Sequence, residues 1–241
     1  MAISAVAPAT TTGPRHTAVV RVTHWVTALC FLALLVTGVE IVISHPRFYW
    51  GETGNIHTQA LFQIPIPASR HSVPTGYGFV LPDQNGWSRH LHFQAAWGVV
   101  LTGLLYFVYG LTTRHFARNL VPRGVGLGRD LVAHLRFRRP GPADAWSYNP
   151  VQRMTYLLVI FVLFPLMIWT GLAMSPAFVS AFPAAVSVFG GQQSARTIHF
   201  FLTIVLFGFL LVHVGMVWLA GFRYRMRAMV TGRAASIQEH S

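Results

Sequence analysis

Four histidines lie where an ionisable side chain is costly: His24, His92, His199 and His213. Each falls inside or at the edge of an apolar run long enough to cross a bilayer, and an ionisable group in such a run defaults to a functional role. His199 and His213 share one run, Arg196 to Ala220, which reads RTIHFFLTIVLFGFLLVHVGMVWLA. A spacing of fourteen residues is about 21 Å of helix rise and returns the second histidine to within about 40° of the same face. Neutral imidazoles presented by two facing helices are the ligand set of bis-histidine haem b, one on each side of the porphyrin. Zinc would want four ligands, or three and a water, at one depth. No Cys, Asp or Glu stands beside these histidines to complete such a set. A structural, hydrogen-bonded histidine is the ordinary alternative for any one of the four taken singly; four that sort into pairs favour ligation.

The elements that must position them are legible as apolar spans. Of 241 residues 53% are hydrophobic and 10% charged, and the mean hydropathy is +0.49. That composition belongs to a membrane protein rather than a soluble domain. Four runs pass the length test of about 20 apolar residues: 22–43, 90–111, 153–173 and 196–220. Backbone polar groups in a bilayer must be satisfied internally, so the runs are expected to be helices. The fold class is therefore all-α, a four-helix transmembrane bundle, with residues 1–241 a single domain and 1–20 and 226–241 its tails. Pro165 is expected to kink the third helix.

All 18 cationic residues are arginine and the formal charge is +12. The charge could suggest nucleic acid, but the arginines cluster between spans, where topology needs them. Fourteen fall in the N-terminal tail, the 112–153 connection and the C-terminal tail; only Arg47, Arg70, Arg89 and Arg196 fall on the other side. Both termini are therefore expected in the cytoplasm, with a long outer loop at 44–89. Residues 1–14 show no basic region ahead of an apolar core, so the first span is expected to act as an uncleaved insertion signal. This orientation fixes the depth of each histidine independently of the haem argument. His24 and His213 fall near the cytoplasmic side, His92 and His199 near the outer side. A single cysteine, Cys30, rules out an internal disulfide and a cysteine-rich metal site.

His90 competes with His92, because two residues apart they point to nearly opposite sides of a helix. The His92 face continues through Ala95, Ala96, Val99 and Gly103; the His90 face continues through Gln94, Trp97, Leu101 and Leu104. Small neighbours suit a haem and bulky ones suit lipid, so His92 is the expected ligand. Gly38 and Gly103 are read as haem clearance, beside the commoner use of glycine in close helix packing. Arg89 and Arg196 are the expected propionate partners, since arginines are scarce on the outer side. Glu40 is expected to snorkel to the interface. The 44–89 connection reads equally as a lid over the helix ends or a docking surface. Residues 176–189, broken by Pro183, read as an interfacial segment. Residues 125–139 fit a basic amphipathic helix on an anionic leaflet.

Taken together, RVTHW, RHLHFQAAW, YNPVQRMTYLLVIFVLFPLMIWTGLAMSP and SARTIHF followed by LLVHVGMVWLAGF resemble a known group. The chain is similar over 20–225 to the four-helix diheme cytochrome b subunits of the bacterial cytochrome b561 and nickel–iron hydrogenase b-type cytochrome group, which includes formate dehydrogenase gamma and thiosulfate reductase cytochrome b subunits. The resemblance implies two haem b groups, one held by His24 and His213 and one by His92 and His199. It also implies a quinone site near the cytoplasmic haem and a periplasmic catalytic partner, often a molybdopterin oxidoreductase. By position, the quinone candidates are Tyr109, Arg114, Tyr148, Asn149 and Arg153, beside the inner histidines. The expected role is an electron-transfer subunit of a quinone-linked oxidoreductase in the bacterial inner membrane, with its partner docking on 44–89. The long 44–89 loop departs from the formate dehydrogenase and hydrogenase versions, so neither substrate carries over. The alternative is a haem-free transporter or proton relay built on the same histidines, which would want acidic residues at mid-membrane; none sits there.

Overall fold

A computed structural model describes residues 16–55, 57–65, 84–117, 150–219 and 221–232. Thr17 caps the first helix, α1 (Ala18–Ser44), its hydroxyl accepting from the Val20 N–H. The second, α2, spans Gln84–Thr112. The third crossing is composite: α3 (Pro150–Leu158), a π-helical stretch Val159–Leu163, and α4 (Phe164–Leu172). Pro165 has no N–H to donate, and the helix accommodates it by widening just before it. The Phe164 N–H reaches back five residues to the Val159 carbonyl. The expected proline disturbance thus takes the form of a π segment. The fourth crossing is α7 (Gln192–Leu219).

These four helices are long and apolar enough to span a membrane. They start a few residues earlier than the apolar runs suggest, because the turns ahead of those runs, polar in α2 and α7, are helical too. Bulky apolar side chains point outward along them, Leu29, Leu101 and Trp218 among them, as a lipid-facing surface requires. The molecule is a multi-pass membrane protein built as a four-helix bundle.

Packing divides the bundle into two hairpins. α1 packs along α2, and α4 packs on α7; between the hairpins the backbones approach only sparsely. Gly98 admits Cys30 at the α1–α2 seam, where a Cβ would lie 2.6 Å from Sγ. Thr27 and Thr102 share a hydrogen bond of 3.0 Å across the same seam.

One end of the bundle, the loop end, is closed by residues 45–63. Strand β1 (Arg47–Phe48) pairs antiparallel with β2 (Phe62–Gln63). Phe48, 1% exposed, stacks on Phe62 at 4.6 Å and also meets Phe200. The Gly51 carbonyl accepts from the Gln193 and Ser194 N–H groups, and Ser194 Oγ accepts from the Gly51 N–H at 2.7 Å. Those contacts satisfy donors that the first turn of α7 would otherwise leave open. Gly191, at φ +125, lets this strand of chain pass: a Cβ there would lie 2.5 Å from the Gly51 and Glu52 backbone. Two short helices, α5 (Pro176–Ala181) and α6 (Ala184–Ser187), break at Phe182 and Pro183 and cover the same end. Val186 and Phe189 pack there with Ala173 and Ala195.

The opposite, terminal end carries α8 (Phe222–Thr231), which turns off α7 through Gly221 at φ 94. Residues from 226 on were expected as a tail, but helix continues to Thr231. It is tied to α1 by Arg21, which donates to the Val230 carbonyl, and by Trp25, which donates to Met229. The basic segment 125–139 and the 66–83 part of the long loop lie outside the described residues.

Candidate paired-histidine sites

Each of the four histidines meets the partner expected from depth. The His24 and His213 rings stand 6.3 Å apart between centroids, inclined at 50°, near the terminal end. The His92 and His199 rings stand 6.4 Å apart, inclined at 57°, near the loop end. α1 and α7 supply the first pair, α2 and α7 the second. Each pair therefore bridges the two hairpins, where the backbones stand apart.

The separation tests the chemistry. Two metal–imidazole bonds of about 2 Å each, with about 1 Å from nitrogen to ring centre on both sides, require about 6 Å between ring centres. Both separations leave room for one metal ion between the two rings. Among the described residues no group of three or more His, Cys, Asp or Glu side chains comes together. What is offered at each level is a two-nitrogen axial set, which suits a haem iron whose other four ligands come from the porphyrin. His24 Nδ1 is buried with no hydrogen-bond partner. A buried polar atom without a partner is costly.

The helix faces explain the selection. On α2, Ala95 and Val99 are buried on the His92 side, while His90, Trp97, Leu101 and Leu104 are exposed. Between the two pairs on α7 lie Leu202 and Leu206, the latter 1% exposed. An apolar layer therefore separates the two levels, whose α7 histidines are about 21 Å apart along the helix.

The His92–His199 pair has hydrogen-bonding support that the sequence reading does not single out. Thr37 Oγ1 lies 2.8 Å from His92 Nδ1, and Thr170 Oγ1 lies 2.9 Å from His199 Nδ1. Both threonines are fully buried. A recurring Thr-Gly pair, Thr37-Gly38, Thr102-Gly103 and Thr170-Gly171, was the available signal, and of the three Thr102 meets Thr27 instead of a histidine. It is a weak one, because serine and threonine commonly bond back to their own helix.

Other expected site residues are placed as follows. Arg196 directs two guanidinium nitrogens at the His45 and Arg47 carbonyls and stacks over Phe48 at 4.8 Å. It anchors the lid to α7. Arg89 is exposed at the loop end. Tyr109 donates to Thr17 Oγ1 at 3.0 Å, which sets its hydroxyl at the N-terminus of α1, seven residues before His24. Arg114 is exposed just past α2, at φ 53. Tyr148, Asn149 and the Arg153 side chain lie outside the described residues. Gly103 has open space where a Cβ would be, and a Cβ on Gly38 would rest 3.8 Å from the His92 ring.

The family described as prokaryotic cytochrome b561 matches residues 15–232. A relative from Azospira oryzae is 27% identical over 210 residues, covering 84% of this chain and 89% of its own. It is named a putative protein-methionine-sulfoxide reductase subunit YedZ1. No solved structure matches the chain.

Proposed function

The chain belongs to the prokaryotic cytochrome b561 family, membrane electron-transfer proteins that bind b-type haem, and from that premise we propose that it is a diheme subunit carrying electrons between quinone and a periplasmic oxidoreductase. The observation that carries the proposal is the two inter-hairpin histidine pairs, whose ring centres stand 6.3 and 6.4 Å apart. His24 and His213 would hold one haem b, His92 and His199 the other. The bound groups supply reversible one-electron chemistry at two depths. The chain's own part is to fix the imidazoles, keep water out with the Leu202–Leu206 layer, and set the levels about 21 Å apart.

With the arginine bias read as orientation, the His24–His213 level faces the cytoplasm and the His92–His199 level the periplasm. Quinone would meet the protein at the terminal end. Tyr109 and Arg114 offer polar groups there, with Tyr148 and Asn149 just before α3 and Arg153 in its first turn. Arg89, exposed at the loop end, is free to meet a haem propionate, whereas Arg196 would have to leave the lid to do so. The partner would dock on the periplasmic loop, whose described part packs over the loop end of α7. The relative's name points to a methionine-sulfoxide reductase as the class of partner. Such a partner consumes electrons, so flow would run outward from quinol.

The test is an absorption spectrum of the purified, dithionite-reduced protein, with haem quantified per chain. Two haem b per chain and re-oxidation by a quinone analogue are expected. A haem-free preparation would support the relay alternative and overturn this reading.

A further inference from the structure

We propose that Thr37-Gly38 and Thr170-Gly171 are matched seats that fix the His92 and His199 imidazoles as Nε2 ligands, a device with no counterpart at His24. This deepens the assignment of His92 and His199 as haem ligands and rests on it.

The argument begins with a proton count. A threonine hydroxyl has one proton to give. Thr37 Oγ1 lies 2.7 Å from the Ala33 carbonyl and 3.3 Å from that of Leu34. Thr170 Oγ1 lies 2.9 Å from the Leu166 carbonyl and 3.0 Å from that of Met167. Both hydroxyls donate to the preceding turn of their own helix, the usual back-bond of a mid-helix threonine. Their oxygens are left to accept from the imidazole Nδ1–H at 2.8 and 2.9 Å. With the proton on Nδ1, the lone pair of each neutral ring is on Nε2, the nitrogen left for a metal.

The glycines complete each seat. A Cβ on Gly38 would lie 3.8 Å from His92 Cε1, and one on Gly171 would lie 3.5 Å from His199 Cε1. Cε1 is the ring carbon between the two nitrogens. Each ring therefore rests its Nδ1–Cε1 edge on a Thr-Gly step of the neighbouring helix in its own hairpin. The α1–α2 hairpin carries one seat and one ligand, and the hairpin of the third and fourth crossings carries the other seat and the other ligand. At the terminal end the arrangement differs, since His24 Nδ1 is buried without a partner.

A hydrogen bond accepted from Nδ1–H makes the imidazole a stronger donor to metal and favours the higher oxidation state. The seats therefore lower the potential of the loop-end haem and hold its ligand rings at a set angle, leaving the other haem untouched.

The test uses the full-length, haem-loaded protein and the variants Thr37→Val, Thr170→Val, Thr37→Ser and Thr170→Ser. Haem per chain, the low-spin ferric resonance spectrum and the two midpoint potentials are measured. The valine variants are expected to move one of the two resonance signals and raise one of the two potentials. Alternatively they release one haem, with retention weakened about tenfold or more. The serine variants, which keep the hydroxyl, are expected to restore the wild-type signals. Unchanged signals and potentials in both valine variants would overturn the proposal, as would equal loss in the serine and valine variants. His24→Ala, which removes the other haem, identifies the signal that moves; a shift confined to the signal His24→Ala abolishes would also overturn it. A wild-type protein without haem would instead overturn the diheme reading itself, so the two failures are distinguishable.

Discussion

His92 and His90 differ by what each ring can touch. His92 looks onto Ala95, Val99 and the facing His199, while His90 shares its side of α2 with exposed Trp97 and Leu101. His92→Ala is therefore expected to leave one haem of two, and His90→Ala to leave both, as counted by pyridine haemochrome assay. The opposite outcome would reverse the assignment. Gly98 tests packing at the same scale. Gly98→Ala would press a methyl onto Cys30 Sγ, and overpacking of about 1–3 kcal/mol exceeds the gain of about 1 kcal/mol in helix propensity. A lowered Tm in detergent is expected, with recovery in the Cys30→Ala/Gly98→Ala double variant. Absence of coupling between the two sites would show that the contact is not limiting.

The lid over α7 is held chiefly by backbone groups, so its behaviour belongs to the element. Ser194→Ala removes the acceptor of the Gly51 N–H, a local loss of about 1–3 kcal/mol. Faster proteolysis within 45–63 is expected, with haem content unchanged. His45, at the hinge between α1 and the lid, adds a pH dependence. Burial, then the Arg196 guanidinium, holds its imidazole below the ordinary histidine range. The folded lid thus prefers the neutral ring. The stability it contributes is present above the unfolded value of about 6.5 and is lost as pH falls below that. Proteolysis of the lid is expected to accelerate between pH 7.5 and 5, and His45→Asn to flatten the profile. A wild-type profile already flat would refute this account. The lid itself illustrates a limit of sequence reading: proline, glycine and aromatics in 44–65 announced an irregular loop, but not that Phe48, Phe62 and Phe200 would stack.

For the whole molecule, the two-hairpin division matters most. The hairpins pack closely within themselves and stand apart where the histidine pairs bridge them. Ligand-bearing helices held apart by a bound group should come together poorly without it. Protein made under haem starvation is expected to show a lower Tm than haem-replete protein, since a ligand that binds only the folded state stabilises it. Equal melting temperatures would argue against a shared slot. Orientation is a property of the same scale. A reporter fused after Ser241 is expected to be active only in its cytoplasmic form, and one inserted near His57 only in its exported form.

By itself the sequence determined the four crossings, because a bilayer admits few structures and a run of about 20 apolar residues is nearly sufficient evidence of one. It also led to the expectation that His24 meets His213 and His92 meets His199, and those rings stand 6.3 and 6.4 Å apart. Helix propensity and apolar length are local quantities, readable one segment at a time. Only the tertiary structure decided what depends on the meeting of distant segments. It showed that Arg196 clamps the lid, that α8 folds back onto α1, and that Thr37 and Thr170 reach the His92 and His199 imidazoles. A threonine in an apolar span looks the same in sequence whether its oxygen serves only its own helix or also a neighbour. The difference of 55 residues between Thr37 and His92 is closed by packing alone.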